Sequence, residues 1–170
     1  MTGVGKTSVG EILAEKLNYN FLDLDLIIAE KTGKIPAEIF ALYGEEYFRK
    51  IEAAELENVF EKYKDGGKNL ILSCGGGIVL SKNNRELLKT HSFVIWLVRP
   101  ADEIKKNKEI LSRPPINNDI KNYIKIFDRR ENLYAETCAI NGLKIECGNI
   151  SDAVESITES LIINFMNYTE

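Results

Sequence analysis

The amino-acid sequence predicts an α/β fold in which helices cover both faces of a largely parallel sheet. Three observations carry that expectation. Apolar runs of strand length and composition, "NLILS" and "SFVIWLV", alternate with segments whose apolar residues recur at helical spacing. Strands separated by helical crossovers pair in parallel, because each crossover returns the chain to the same end of the sheet. The glycine turn in "MTGVGKTSVG" runs straight into an amphipathic segment, and ligands of open α/β sheets bind where strands end and helices begin.

The elements follow in order. In "SVGEILAEKLN", Val9, Ile12, Leu13, Ala14 and Leu17 fall on one side of a 3.6-residue period and predict a helix starting at the glycine turn. "YNFLDLD" is a short strand. Helical segments follow at about Leu26–Glu30, Pro36–Tyr43 and Glu45–Lys64, the last broken by the turn chemistry of Asp65-Gly66-Gly67. "NLILSCGGG" reads as a buried strand ending in a glycine loop, and Lys82–Thr90 as a helix. "SFVIWLV", rich in β-branched and aromatic residues, is a strand closed by Arg99-Pro100. A helix over about Ala101–Ile110 enters "LSRPPINND", where two prolines oppose regular structure. Asp119–Thr137 is helical, "CAINGLKIEC" holds one or two short strands, and Ser151 is positioned to cap a last helix reaching about Tyr168. With no internal repeat and no linker, residues 1–170 are expected to form one domain.

Bulk composition narrows the function. With 22 basic and 26 acidic residues the net charge is -4, which lacks the basic footprint of a nucleic-acid-binding protein and points to a small substrate. Cys74, Cys138 and Cys147 are an odd set without C-x-x-C spacing, and His91 is the one histidine, so a zinc site, a disulfide framework and histidine catalysis are all disfavoured. No apolar run approaches a membrane span or a signal h-region. These features predict a soluble cytoplasmic protein.

The residues suited to chemistry begin at the turn. Gly5, Lys6 and Thr7 match the last three fixed positions of the G-x-x-x-x-G-K-[ST] phosphate loop. Counting back from Gly5 places the first glycine of that pattern one residue before Met1. Gly3, Val4 and Gly5 would turn backbone N–H groups inward, Ser8 would add another from the helix start, Lys6 would reach the β/γ-phosphates and Thr7 would offer a hydroxyl to Mg²⁺. In "FLDLD", Asp23 and Asp25 lie two apart at a strand end and are expected to share a face, where they could hold a metal, a substrate hydroxyl or both. An Asp that only caps the next helix is the simpler reading of Asp25. Arg49 and Glu52 at i, i+3 are either a surface ion pair or an arginine braced to clamp a substrate carboxylate, and spacing leaves both open. Three consecutive glycines, Gly75, Gly76 and Gly77, suggest close approach of a ligand to the main chain where an Asp commonly ends the strand. Arg113 in the proline loop and Arg130 in "RRENLY" are candidate partners for a transferring phosphoryl group. Lys106 reads as a solvated helix residue or a nucleotide contact, while Trp96 and the cysteines read as core.

Taken in order, "GVGKT", "DLD", "FRKIE", "GGG", "SRP" and "RENLY" resemble shikimate kinase from Gly3 to Tyr134. The resemblance implies a three-layer P-loop kinase fold with strand order 2-3-1-4-5, in which this chain would lack the first, central strand. It implies ATP and Mg²⁺ as cofactors and shikimate as substrate, phosphorylated on its 3-hydroxyl on the route to chorismate and the aromatic amino acids. Gly3, Val4, Gly5, Lys6, Thr7 and Ser8 would bind the ATP phosphates, Thr7 and Asp23 the metal, and Lys106 the adenine side. Asp25 would be the base, with Lys6 and Arg113 acting on the transferred group, Arg113 from a lid at about 110–121. Arg49 and Arg130 would take the shikimate carboxylate, and Gly75, Gly76 and Gly77 would close around the ring. A monomer is expected, with no nucleic-acid or membrane partner. Two alternatives stand beside this reading: another P-loop small-molecule kinase, gluconate kinase being the nearest, and a non-catalytic domain without its first strand.

Overall fold

A computed structural model describes residues 3–65, 69–106, 116 and 118–167. Its strands are β1 (Asn20–Asp23), β2 (Leu70–Ser73), β3 (Val94–Val98) and β4 (Gly142–Glu146). The helices are α1 (Lys6–Leu17), α2 (Leu24–Thr32), α3 (Pro36–Tyr63), α4 (Lys82–His91), α5 (Ala101–Lys106), α6 (Ile120–Cys138) and α7 (Ile150–Asn167), with a 3₁₀ turn at Ile78–Leu80. All strand pairing is parallel, as the alternating pattern predicts. β1 pairs with β2 from Asn20↔Leu70 to Asp23↔Ser73, and β3 with β4 from Val94↔Gly142 to Val98↔Glu146.

These pairs form two separate two-stranded sheets among the described residues, not one continuous sheet. They correspond to the outer pairs of the expected order, 2-3 and 4-5. Between β2 and β3 lies a cavity of about 1030 Å³. The helices form two layers. α1 packs on β1, β2 and α7, while α4 joins α3 to α6, and α6 rests on β3 and β4.

The core explains the helix faces. α1 buries Val9, Leu13 and Ala14, and each large apolar side chain so buried contributes roughly 1.5–3 kcal/mol. Ile12, expected on that face, is instead 44% exposed, because the buried stripe runs through Gly10, whose missing side chain leaves room for the Phe21 ring. Trp96 is buried and stacks on Tyr134 with ring centroids 5.3 Å apart. Cys138 and Cys147 are buried as expected, whereas Cys74 is only partly so.

Three local expectations are corrected. The chain leaves strand geometry at Asp23, so Asp25 sits in the first turn of α2 and does not share a strand face with Asp23. It is Asp23 that caps α2, its Oδ1 accepting from the N–H groups of Asp25 at 3.0 Å and Leu26 at 3.4 Å. At the last helix Asn149 does the capping, accepting from the Asp152 N–H at 2.9 Å, and Ser151 lies inside the first turn. Of the segment "CAINGLKIEC", β4 is the single strand. Among the described residues no helix is long and apolar enough to cross a membrane.

Candidate active site

The carboxyl ends of β1 and β2 face the start of α1, and the candidate residues gather there. Gly3 and Gly5 adopt φ of 77° and 90°, a left-handed turn that delivers the chain into α1 at Lys6. Val4, between them, is fully buried and pins the turn to the core. The first turn of α1 has neither a side-chain cap nor an acidic residue. Its N–H groups and the positive end of the helix are thus left to meet an anion. Ser8 is half-buried within that turn.

Next to it, Thr7 Oγ1 donates to Asp23 Oδ2 at 2.8 Å, joining α1 to the end of β1. A hydroxyl and a carboxylate side by side are hard oxygen donors of the kind that hold Mg²⁺ when phosphates supply further ligands. Among the described residues no group of three or more His, Cys, Asp or Glu could hold a metal by itself, so a cation here would depend on such added ligands. Asp25 is half-buried beyond this pair. Desolvation first, and the charge of Asp23 second, raise its pKa above the ordinary value, while Lys6 and Arg49 pull the other way.

The opposite wall comes from α3. Arg49 Nη1 donates to Glu52 Oε2 at 2.7 Å, and Glu45 accepts from the same guanidinium at 3.1 Å. Of the two readings of the Arg49–Glu52 spacing, the surface pair is overturned by burial: Glu52 is 1% exposed at its side chain and Arg49 20%. The guanidinium also lies 5.1 Å from the Phe48 ring centroid and 5.6 Å from that of Phe40. Burial pushes the Glu52 carboxyl upward in pKa against the pull of Arg49, and its Oε1 is buried with no hydrogen-bond partner among the described residues.

The glycine loop after β2 fits between these groups. A Cβ at Gly77 would stand 2.1 Å from Arg49 Nη2, so no other residue fits there with the arginine in this pose. At Gly75 it would lie 3.0 Å from Asp25 Oδ1 and 3.1 Å from Glu52 Oε1, which locates both carboxylates against the loop. From α6, Arg130 Nη1 donates to the Gly76 carbonyl at 2.8 Å and the Tyr134 hydroxyl donates to the same oxygen. Asp25, Arg49, Arg130 and Gly75–Gly77 therefore meet at one place.

Two candidates stand apart. Lys106 is exposed on α5 and pairs with Glu103 at 3.1 Å. Arg113, with most of the expected lid, lies outside the described residues. Sequence reasoning missed Arg99, whose Nη2 would be 3.9 Å from a Cβ at Gly5 and whose Nε is buried without a hydrogen-bond partner among the described residues. Its place at the carboxyl end of β3 was the available signal.

A left-handed glycine turn opening an uncapped helix, whose Thr7 bonds to Asp23 at the end of β1, is a phosphate-binding arrangement of the P-loop class. Comparison with known proteins narrows the class. The family model described as shikimate kinase matches residues 2–161. The shikimate kinase of Clostridium botulinum (strain Alaska E43 / Type E3) is 32% identical over 164 residues, covering 96% of this chain and 94% of the relative. That of Clostridium beijerinckii is 34% identical over 167 residues, covering 96% and 95%. Among solved structures, the shikimate kinase from Acinetobacter baumannii in complex with shikimate superposes with a TM-score of 0.82 at 31% identity, covering 96% of this chain and 89% of that one. The enzyme from Aquifex aeolicus gives 0.75 at 25% identity, covering 95% and 92%. The chain belongs to the shikimate kinase family, whose activity is phosphorylation of shikimate by ATP in aromatic biosynthesis.

Proposed function

We propose that this site phosphorylates the 3-hydroxyl of shikimate through the following division of labour. Arg49 and Arg130 hold the substrate carboxylate, and Gly75, Gly76 and Gly77 admit the ring because they carry no side chains. Asp25 accepts the proton of the 3-hydroxyl as its oxygen bonds to the γ-phosphorus of ATP, and the bond to the β-phosphate oxygen breaks to leave ADP. A pKa raised by burial suits Asp25 to that task, since it matches the carboxylate better to an alcohol proton. Lys6 and the α1 N–H groups, from Gly3 through Ser8, hold the phosphates. Thr7 and Asp23 would hold Mg²⁺, which when bound neutralises charge on the phosphate oxygens. Arg113 reaches the transferring group from a lid at about 110–121, and Lys106 approaches the adenine of ATP. The enzyme acts as a monomer formed by one domain.

The observation that carries the reading is the convergence of Arg49, Arg130 and Asp25 on one glycine loop: two cations and a base fit a carboxylated ring alcohol. A coupled assay of ADP release tests it with shikimate, gluconate and nucleoside monophosphates as acceptors. Shikimate alone is expected to support turnover. Gluconate-dependent turnover at an equal or greater rate would remove the substrate assignment.

A further inference from the structure

Arg99 holds a fixed place at the carboxyl end of β3 and spends none of its side chain there. The Val98 carbonyl before it accepts from the Cys147 N–H at 2.7 Å, and the Pro100 carbonyl after it accepts from the N–H groups of Glu103 and Ile104 at 3.0 and 3.2 Å. Proline at 100 also keeps Arg99 itself out of helical geometry. The main chain is thus held on both sides, by the segment after β4 and by the first turn of α5. The side chain is half-buried, yet among the described residues its guanidinium has no hydrogen bond or ion pair, and its Nε is enclosed without a partner. The cations that follow on α5 behave otherwise: Lys105 pairs with Asp102 at 2.8 Å and Lys106 with Glu103 at 3.1 Å.

Beside that unspent guanidinium stands the glycine turn. A Cβ at Gly5 would lie 3.9 Å from Arg99 Nη2 and 3.7 Å from Ile150 Cγ1. Gly5 delivers the chain into α1, so Arg99 sits next to the positive end of that helix. Its charge also reaches the Tyr123 hydroxyl near the start of α6, which is buried with no hydrogen-bond partner among the described residues; burial raises the pKa of that phenol and Arg99 pulls against it. A half-buried cation between a helix N-terminus and a neutral phenol lacks a counter-charge, and partial desolvation makes that arrangement unfavourable until an anion enters. An anion over the turn would meet the α1 N–H groups and the planar fork of Arg99 together.

The flank decides which part of the nucleotide Arg99 meets. Thr7, Asp23 and Asp25, the groups suited to metal and acceptor, gather at the end of β1. Arg99 approaches from the end of β3, in the other sheet, together with Ile150 at the start of α7. The transferring phosphoryl group belongs beside the acceptor, which leaves Arg99 the phosphates that stay with the nucleoside. We propose, on the reading of residues 3–8 as the seat of the ATP phosphates, that Arg99 is a further nucleotide ligand whose guanidinium donates to the phosphate oxygens that ADP retains. The contact is the same with ATP and with ADP, so it adds affinity for the nucleotide and none that is special to the transition state.

Calorimetric titration of the full chain with ADP and with ATP, in magnesium buffer, tests this in Arg99→Met and Arg99→Lys. Arg99→Met should weaken ADP and ATP alike, each by about 10- to 150-fold, the range for losing hydrogen bonds made by a charged group. Arg99→Lys keeps the charge without the fork and should fall between Arg99→Met and the unaltered chain. Shikimate binding in the absence of nucleotide should be equal in all three. Because Arg99 has no partner to lose, the ligand-free Tm of Arg99→Met should stay level or rise while its ADP-induced shift shrinks. A lowered ligand-free Tm with unchanged ADP affinity makes Arg99 a structural residue and overturns the proposal. So does weakening of ATP alone, which would put the guanidinium on the transferring phosphoryl group. Lys6→Met separates this failure from that of the turn itself. ADP binding at full strength in Lys6→Met removes the phosphate role of residues 3–8 and the role of Arg99 with it, whereas loss in Lys6→Met and none in Arg99→Met removes Arg99 alone.

Discussion

At Gly77 the Arg49 guanidinium fills the space that a side chain would need, and that contact makes the loop sequence a statement about the arginine. Gly77→Ala should displace Arg49 from its pose while leaving the turn at Gly5 untouched. The expected result is a rise in KM for shikimate of roughly 10- to 150-fold, equivalent to losing a charged hydrogen bond of about 1.5–3 kcal/mol, with ATP affinity unchanged. Steady-state kinetics with each substrate varied in turn checks this, and a matching loss of ATP affinity would contradict it. Asp25→Asn keeps the shape and removes the base. Turnover should fall about 10²- to 10⁴-fold with ATP binding intact by calorimetry, whereas equal loss of both would reassign Asp25 to nucleotide binding. Cys74 lies beside this cluster, and burial first, then the charge of Glu52, push its thiol up to about 12. The thiolate is the reactive form, and it becomes abundant only as pH rises toward that value. At pH 8 Cys74 should therefore react with iodoacetamide about 10³-fold more slowly than an ordinary cysteine with pKa about 8.5. Peptide mapping of alkylated native protein measures the rate, and rapid labelling would show that the thiol is open to solvent.

Among the elements, α3 joins the two helical segments expected at Pro36–Tyr43 and Glu45–Lys64 through Gly44, at φ 81° and ψ 171°. That conformation belongs almost wholly to glycine, so Gly44→Ala should lower stability by about 1–3 kcal/mol, read as a shift in the urea midpoint with an unchanged m-value. A neutral result would mean that the two segments can straighten into one helix. This break was legible from the sequence because glycine chemistry is local, as were the start of α1 and the strand at Val94–Val98. The identities of the caps were not. Asp23 and Asp25 look equivalent in "DLD", and so do Asn149 and Ser151 in "NIS", because which side chain reaches the first N–H groups depends on where the backbone leaves extended geometry. The burial of Glu52 was equally hidden, since an i, i+3 pair has the same spacing on any helix face. Only the packing of α3 against the glycine loop distinguishes it.

Over the whole molecule, the contacts at the site span both sheets. Thr7, Asp23 and Asp25 belong to β1 and the helices packed on it, and Arg49 to α3, which packs on α2, whereas Arg130 and Tyr134 project from α6, which rests on β3 and β4. A carboxylate shared by Arg49 and Arg130 would therefore tie the two sheets together at their carboxyl edge, where among the described residues no strand pairing joins them. Binding of such a ligand stabilises the folded state as a unit. At a concentration of about 100 Kd, shikimate should add about 2.7 kcal/mol, which for a chain of this size raises Tm by roughly 5–10 °C. Gluconate at the same concentration should give a much smaller rise, because an open chain does not fill the space between Asp25 and the glycine loop. Arg130→Lys tests the bridging itself. Lysine keeps the charge but cannot present two parallel donors to a carboxylate, so the shikimate-induced shift should shrink to less than half while the ligand-free Tm moves little. A full shift in Arg130→Lys would place the carboxylate on Arg49 alone and detach ligand binding from the joining of the sheets.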